Sequence, residues 1–271
     1  MKVYKALVAA ALVLALAGCG GKSNDDKAGN SGGTKDIKDI AVSTTTLTKD
    51  NFAELVAAAQ KNAKTSHVVM AIGGSGQEIK AEGDVVSGDT PAEFAMAMTM
   101  DLGAVAGGQV MEMRLVDEVF YMGMGALTDN KFAKIDLSDE SNPLSKQYGD
   151  MMDQIDPSKH MESIKEAVKL FKEKGDAIEI DGIEAQPYEL VIDTAKFGDV
   201  ASGAGTEGVP NEIVMTMFIG TDNLPRRVTT KFASQTIQMD YSKWGEPVTI
   251  EAPPASDITD KSPLDQMAPA A

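Results

Sequence analysis

The chain is poor in the residues that carry most enzyme chemistry. Among its 271 residues, Cys19 is the only cysteine, and His67 and His160 are the only histidines. A single cysteine cannot form an internal disulfide, and no other thiol remains for catalysis or for a zinc site. Neither histidine accompanies a recognisable nucleophile motif, and no HExxH pattern, phosphate-binding glycine loop or EF-hand loop occurs. These absences predict a protein that is not an enzyme and that has no catalytic residue, metal or cofactor.

Basic charge is also scarce. The sequence has 25 lysines and arginines against 41 acidic residues, and its formal net charge is −16. Phosphate backbones and anionic headgroups attract clustered positive charge, and the chain offers no basic stripe for either. The composition therefore argues against nucleic acid as a partner. It also indicates that any attachment to a membrane comes from lipid.

The N-terminal apolar run is too short for an ordinary membrane span. It covers Ala6–Ala17, follows the positive residues Lys2 and Lys5, and ends in Leu16–Cys19. Small residues before a cysteine are typical of a bacterial lipobox, where the cysteine receives acyl chains such as palmitate and becomes the new N-terminus. Residues 1–18 are thus predicted to be a lipoprotein signal peptide that directs the protein to the extracytoplasmic face of the membrane. The alternative is an ordinary secretory signal with an incidental cysteine.

Composition divides the rest of the chain into three parts. Residues 19–40 begin with Gly20–Thr34, a segment of Gly, Ser, Asn and Asp without apolar periodicity, and they are predicted to form a flexible tether. Residues 41–255 have a suitable length for one large domain. The chain becomes rich in Pro, Ala and Asp from Pro253, and residues 256–271 are predicted to be a disordered tail.

Helical spacing appears in two regions. Thr48 is a plausible N-cap for a first helix, whose apolar face is made by Phe52, Leu55, Val56, Ala59 and Ala63. A second helical region is predicted from Asn142 to about Gln154 and again from Pro157 until Lys174–Gly175 ends it. Its apolar stripe consists of Met161, Ile164, Val168 and Phe171.

The alternation of apolar and polar residues predicts about eleven strands. They lie near residues 67–73, 78–87, 92–101, 109–116, 118–124, 131–137, 176–181, 184–194, 211–220, 226–233 and 235–242. The predicted order is a set of strands, an inserted helical region and a second set of strands. This order favours an α+β fold in which the helices lie on the concave face of a curved antiparallel sheet. Methionine recurs at every second position of several strands, so that its side chains share one face. Because methionine is unbranched and polarizable, such a face can adapt to irregular apolar shapes.

Two stretches resemble a known family. They are Tyr121–Leu137, with the strand Lys131–Asp136, and Tyr241–Pro254, with the pattern Y-x-x-W-G-x-P-V-x-I-x-x-P. Together with the lipobox, the tether and the helix before the first strand, they are similar to the actinobacterial LppX/LprG-type lipoproteins, which are related in architecture to the LolA and LolB carriers. The resemblance implies a half-barrel with helices in its concave face. It also implies that the acyl chains of an envelope lipid or lipoglycan bind between sheet and helices.

The methionine face is the predicted site. Ligand-lining residues are expected to be Phe94, Met96, Met98, Met100, Met111, Met113, Met122, Met124, Met161, Ile164, Val168, Met215, Met217 and Met239. Three functional classes remain open at this point. A lipid carrier or chaperone requires an apolar cavity, an envelope sensory module requires a protein partner and a filled core, and an enzyme requires a polar cluster that the sequence does not show. The methionine spacing by itself fits side chains that simply pack against the helices. Two observations favour the first class. Methionine outnumbers phenylalanine by 16 to 8, whereas a filled core favours leucine, isoleucine and valine, and the resemblance implies a lipid cavity between sheet and helices.

Overall fold

A computed structural model describes residues 46–74, 77–88, 93–103, 107–138, 165–196, 210–232 and 235–259. The predicted signal peptide, Cys19, the tether and the helical stretches before residue 165 lie outside these ranges, as do His160, Met161 and Ile164. Within the described residues a long helix, α1, spans Phe52–Ala63. The strands are β1 (Thr65–Gly74), β2 (Gln77–Val86), β3 (Ala95–Asp101), β4 (Val110–Val116), β5 (Val119–Gly123), β6 (Phe132–Asp136), β7 (Val168–Glu173), β8 (Ile178–Ile180), β9 (Ile183–Asp193), β10 (Glu212–Gly220), β11 (Pro225–Phe232), β12 (Gln235–Ser242) and β13 (Ile258–Thr259).

All thirteen strands belong to one curved sheet that does not close. Its order is β13-β6-β5-β4-β3-β2-β1-β12-β11-β10-β9-β7, with β8 paired to β9 beside this path. Every pair is antiparallel except β13 with β6. The α+β half-barrel expected from the sequence is confirmed. Each of the eleven expected strands is present, and β7 and β13 are additional.

Alternation along the strands separates a concave apolar face from a convex polar one. In β1, every second residue from Ser66 to Ile72 is buried, and its neighbours are only partly buried. Because side chains of paired residues lie on the same face, the register extends this division from strand to strand. Val68 is paired with Tyr241 on one side and Gly83 on the other, while His67 is paired with Ser242 and Asp84. The concave face therefore holds the hydrophobic core.

Helix α1 packs against this core. Its buried residues Phe52, Ala53, Val56 and Gln60 form one side of the helix. The Phe52 ring stacks on Phe171 of β7 with centroids 4.4 Å apart, and Phe171 stacks on Tyr188 of β9 at 4.8 Å. The predicted N-cap was wrong, because α1 begins only at Phe52. Thr48 instead starts a turn in which its carbonyl accepts hydrogen bonds from the amides of Asn51 and Phe52.

The predicted helical stripe through Val168 and Phe171 was wrong, because both residues lie in β7. Their spacing of three is helical in sequence but would place them on opposite faces of a regular strand. A register shift between Val168 and Leu170 corrects this, since Val168 pairs with Ile192 and Phe171 with Leu190. Both side chains consequently reach the concave face. A β-bulge of this kind leaves no clear signature in an apolar pattern.

Ion pairs on the other face of β7 add to its pairing with β9. The ammonium groups of Lys172 and Lys174 lie 2.9 and 3.1 Å from the carboxylate of Glu189. Hydrogen bonds from these two lysines hold the pKa of Glu189 below its usual value. Charged residues such as Lys172, Glu173 and Lys174 are common on exposed edge strands as well as on helices, so they do not distinguish the two structures in the sequence.

The chain after β12 crosses the convex face. Thr65 donates its hydroxyl hydrogen to the Glu246 carbonyl, and Arg114 of β4 donates to the Glu251 carbonyl at 3.1 Å. The segment ends in β13, which pairs in parallel with Phe132 and Ala133 of β6. The domain boundary at residue 255 stays a prediction, and β13 lies just beyond it. A strand of two residues is too short to show periodicity in the sequence, and only its pairing with β6 reveals it.

The turn between β4 and β5 gives a first testable prediction. Asp117 and Glu118 have φ angles of 51° and 61°, as a two-residue hairpin of type I′ requires. Because a non-glycine residue at positive φ is strained, Glu118→Gly is expected to raise the free energy of unfolding by about 1 kcal/mol. Chemical denaturation measures the change. Glu112→Gly in the middle of β4 is the control and should be destabilising, and a loss of stability in Glu118→Gly would contradict the prediction.

Candidate functional site

A row of apolar residues rich in methionine crosses the concave face. Following the register from β4 to β9, the row contains Met111, Met100, Ala81, Met70, Met239, Val228, Met217 and Tyr188. Residues that face each other across strands have Cβ atoms about 5 Å apart. Thioether side chains are long enough to contact one another over that distance. The row therefore joins the two halves of the sheet into one apolar surface.

A second row lies beside the first. It runs through Ala133, Met122, Met113, Met98, Gly83, Val68 and Tyr241. Gly83 has no side chain at its position in this row, and the sulfur of Met98 lies 2.7 Å from the point that a Cβ would occupy. The neighbouring methionine thus covers the gap. The missing side chain of this glycine leaves a space on the surface of the sheet, and a flexible side chain such as methionine can fill it.

Burial differs between the methionines of this face. Met70, Met100, Met215 and Met239 are buried, with 6%, 3%, 4% and 1% of their surface exposed. Met98, Met111, Met124 and Met217 are only partly buried and pack against that core. The first group closes the core, whereas the second keeps part of its thioether surface accessible. Accessible methionine on a concave face is suited to contact with a flexible apolar molecule.

The structure brings most of the predicted site residues together. Those placed on the concave face by the register are Met96, Met98, Met100, Met111, Met113, Met122, Val168, Met215, Met217 and Met239. Phe94 is buried in the same core just before β3, and Met124 packs against it after β5. Cys19, Met161 and Ile164 lie outside the described residues. Their roles, like ligand lining itself, stay predictions.

Sequence reasoning missed a buried charged pair in this face. Arg226 of β11 is 5% exposed, and its Nη2 lies 2.5 Å from Oδ2 of Asp222 in the β10–β11 hairpin. The signal was present in the alternation, because Arg226, Val228 and Thr230 occupy every second position. An arginine among buried neighbours is unusual unless it is paired. Asn223–Pro225 at the start of the strand predicts a turn and not a buried position.

Next to Arg226 lies a group of aromatic side chains. The rings of Tyr241 and Trp244 stack with centroids 5.8 Å apart, and Trp244 Nε1 donates to the Pro225 carbonyl at 2.9 Å. Burial raises the pKa of Tyr241 well above its usual value, because the phenolate would be desolvated. Tyr241 therefore stays neutral. Its hydroxyl points to Met239 Sδ at 3.8 Å.

The convex face carries the polar interactions. His67 Nδ1 lies 2.7 Å from Oδ1 of Asp84, a partner that the sequence alone did not indicate. Arg227 Nε donates to Asp240 at 2.5 Å, and Gln238 donates to the same carboxylate at 2.8 Å. No group of three or more potential metal ligands occurs among the described residues. In the same part of the chain, no helix combines the length and the apolar character needed to cross a membrane.

Comparison with known proteins identifies the fold. No model of a known family matches the sequence, and no curated protein matches it. Among solved structures, lipoprotein LppX of Mycobacterium tuberculosis aligns with a TM-score of 0.50 and 17% identity, over 75% of this chain and 98% of LppX. LprF of Mycobacterium bovis aligns with a TM-score of 0.51 and 15% identity, over 75% of this chain and 97% of LprF. The chain thus shares the fold of LppX and LprF, in agreement with the resemblance seen in its sequence.

Proposed function

We propose that this protein is a lipid-anchored extracytoplasmic lipoprotein that binds acyl chains between its sheet and helices. The ligand is an envelope lipid or lipoglycan, and binding serves lipid transport or chaperoning. The observation that carries the proposal is the apolar, methionine-rich surface of the concave face. Its partly buried members Met98, Met111, Met124 and Met217 provide the surface that a chain would contact.

The energetics favour an acyl chain over a polar ligand. Each methylene group removed from water stabilises a complex by about 0.8 kcal/mol. Methionine side chains follow the bends of such a chain at little cost, because three rotatable bonds let each thioether adjust. In the convex face, by contrast, polar side chains are already paired with one another, as His67 is with Asp84. The concave face is therefore the better binding surface.

The anchor completes the proposal. Acyl chains on Cys19 would hold the domain at the membrane through the tether of residues 19–40, and the fold shared with lipoprotein LppX supports this arrangement. The net charge of −16 makes an additional electrostatic attachment to anionic lipid unfavourable. The same net charge argues against nucleic acid as a partner.

A tryptophan at position 98 tests the binding face. Met98 is partly buried and lies over Gly83, so Met98→Trp should fit on the concave side and occupy the surface that a chain uses. The free energy of unfolding is expected to change by less than about 1 kcal/mol, while uptake of a fluorescent fatty acid is lost. Both quantities are measured on the full chain with Cys19→Ser, so that the protein carries no acyl chain of its own.

Two matched variants accompany this experiment. Thr99→Trp places the same bulk on the exposed convex side of β3 and should leave uptake intact. Met215→Trp enters a closely packed position and should cost about 1–3 kcal/mol. If the unsubstituted chain takes up no fatty acid and Met98→Trp is as destabilising as Met215→Trp, the face is an ordinary core. That result would favour the envelope sensory module with a protein partner.

A further inference from the structure

Arg226 has an unused hydrogen-bond donor inside the apolar face. It is the unpaired residue of a β-bulge, because Pro225 is paired with Ile219 and Arg227 with Phe218. Counted back in steps of two from the buried residues Thr230 and Val228, Arg226 falls on the concave side of β11. Its Nη2 is engaged by Asp222, whereas Nη1 is buried and has no hydrogen-bond partner among the described residues. A buried polar group without a partner costs about 1–3 kcal/mol, and more when it is charged. Such groups are rare in folded proteins and call for an explanation.

The ion pair by itself does not explain the orphaned donor. Asp222 is held in the hairpin because its Oδ1 accepts a hydrogen bond from the Leu224 amide at 3.1 Å, and its Oδ2 faces Arg226. Asp222 thus fixes one side of the guanidinium and leaves the other free. The side chains are only 6% and 12% exposed, so that water has little access to them. Because one edge of the planar guanidinium is fixed, the other edge is oriented to donate a hydrogen bond to a ligand oxygen.

The charge of the Arg226–Asp222 pair indicates which kind of ligand oxygen would accept a hydrogen bond from Nη1. Because Asp222 already compensates Arg226, a second carboxylate or a phosphate would meet two negative groups sharing one cation. An uncharged acceptor avoids that repulsion and still gains a hydrogen bond to a charged donor. In an acyl lipid, the ester carbonyl is the acceptor that meets this condition. It also marks the polar end of the chain, where the apolar surface should stop.

A second orphaned atom lies on α1. Oε1 of Gln60 is buried and has no hydrogen-bond partner among the described residues. Gln60 belongs to the side of α1 that packs on the sheet, one turn before its end at Ala63. The end of α1 leads directly into β1, which begins at Thr65. The Thr65 carbonyl accepts a hydrogen bond from the Gly245 amide. The adjacent Trp244 donates to the carbonyl of Pro225, the residue before Arg226. The two orphaned groups therefore belong to the same end of the half-barrel, where the polar part of a ligand would bind.

We propose that Arg226 is a specificity-determining residue whose Nη1 donates to the ester carbonyl of a bound acyl lipid. This inference rests on the proposed function, since it requires a chain on the concave face. Asp222 is a positioning residue that orients the guanidinium and keeps its surroundings neutral. The site selects ester-linked chains over bare hydrocarbon and over free fatty acids.

Competition between matched probes tests the proposal. The full chain with Cys19→Ser is loaded with Nile red, which is displaced by methyl oleate, by oleate at pH 8 or by 1-octadecene. Methyl oleate is expected to bind about tenfold more tightly than 1-octadecene, which corresponds to one hydrogen bond to a charged donor. The double variant Asp222→Asn with Arg226→Met removes the pair without leaving a lone buried charge. It should bind both probes equally.

Two further variants separate recognition from folding. Asp240→Asn with Arg227→Met removes the corresponding pair from the convex side of the same strand, where both residues are 32% exposed. It should keep the preference for the ester. Asp222→Ala with Arg226→Leu is a second double variant without the charged pair or its donor, and it should lose the preference even if the first double variant fails to fold.

The outcomes distinguish whether Arg226 recognises an ester carbonyl and whether the concave face binds acyl chains at all. Equal affinity for ester and hydrocarbon in the unsubstituted chain, or an ester preference that survives either double variant at position 226, overturns the role of Arg226. A preference for oleate over methyl oleate overturns the uncharged acceptor. If ester and hydrocarbon bind equally well, the proposed function stands and only this inference fails. If no probe binds, the proposed function fails and the inference with it.

Discussion

Replacing Gly83 by alanine is expected to lower the free energy of unfolding by about 3 kcal/mol, the upper part of the range for overpacking. A Cβ at this position would lie 2.0 Å from the carbonyl oxygen of Ala97 and 2.7 Å from the Cα of Met98. Both are backbone atoms of the adjacent strand β3, and they cannot rotate away. Strands β2 and β3 would have to separate, which weakens the ladder between them and displaces Met98.

Gly73 is the matched control for this prediction. It lies in the neighbouring strand β1, and a Cβ there would meet nothing within 4 Å. Gly73→Ala should therefore change stability by no more than about 0.5 kcal/mol. Urea denaturation of the two variants compares them directly. Equal stabilities would show that β2 and β3 do not approach closely at Gly83, and the account of Met98 covering the glycine would be wrong.

Cys19→Ser is expected to move the protein from the membrane fraction to the soluble fraction while leaving the domain folded. One acyl chain supports only marginal, reversible membrane binding, and two chains give stable attachment. The acidic surface supplies no electrostatic substitute, because the chain has 41 acidic residues and only 25 basic ones. Loss of the acylated cysteine should therefore remove nearly all membrane retention.

Fractionation after salt and carbonate washes measures this effect, and circular dichroism confirms that the variant is folded. Ser23→Ala in the predicted tether is the control, and it should stay with the membrane. If Cys19→Ser also remains in the washed membrane fraction, the lipobox interpretation is wrong. The binding face does not depend on this result, because its residues belong to the folded domain.

Strand periodicity was the part of the fold most accessible from sequence. The alternating methionines of β3, β4 and β10 predicted both the strands and the face that they share, and the register confirms that Met98 and Met113 are direct neighbours. Turn chemistry was readable as well, since Asp117 and Glu118 occupy the positive φ angles that a tight hairpin demands. Local rules suffice for such features, because they depend on residues adjacent in the chain.

Segments whose structure depends on distant partners were predicted less well. Val168–Glu173 has a helical spacing, yet pairing with β9 and the ion pairs to Glu189 accompany a bulged edge strand there. Residues 256–271 were predicted to be a disordered tail, yet Ile258 and Thr259 pair with β6. In both cases, interactions between residues far apart in sequence outweigh a weak local preference.

Composition predicts a lipobox, a tether and one sheet-forming domain, and the side-chain period of two predicts which residues of a regular strand share a face. That period fails at the register shift in β7. The position of β1 between the two halves of the sheet and the place of Arg226 beside Asp222 emerge only from the folded chain. The reason is physical: strand order and the pairing of a buried charge depend on the whole packed chain, because the cost of desolvating that charge is offset only by the partner that the fold brings to it.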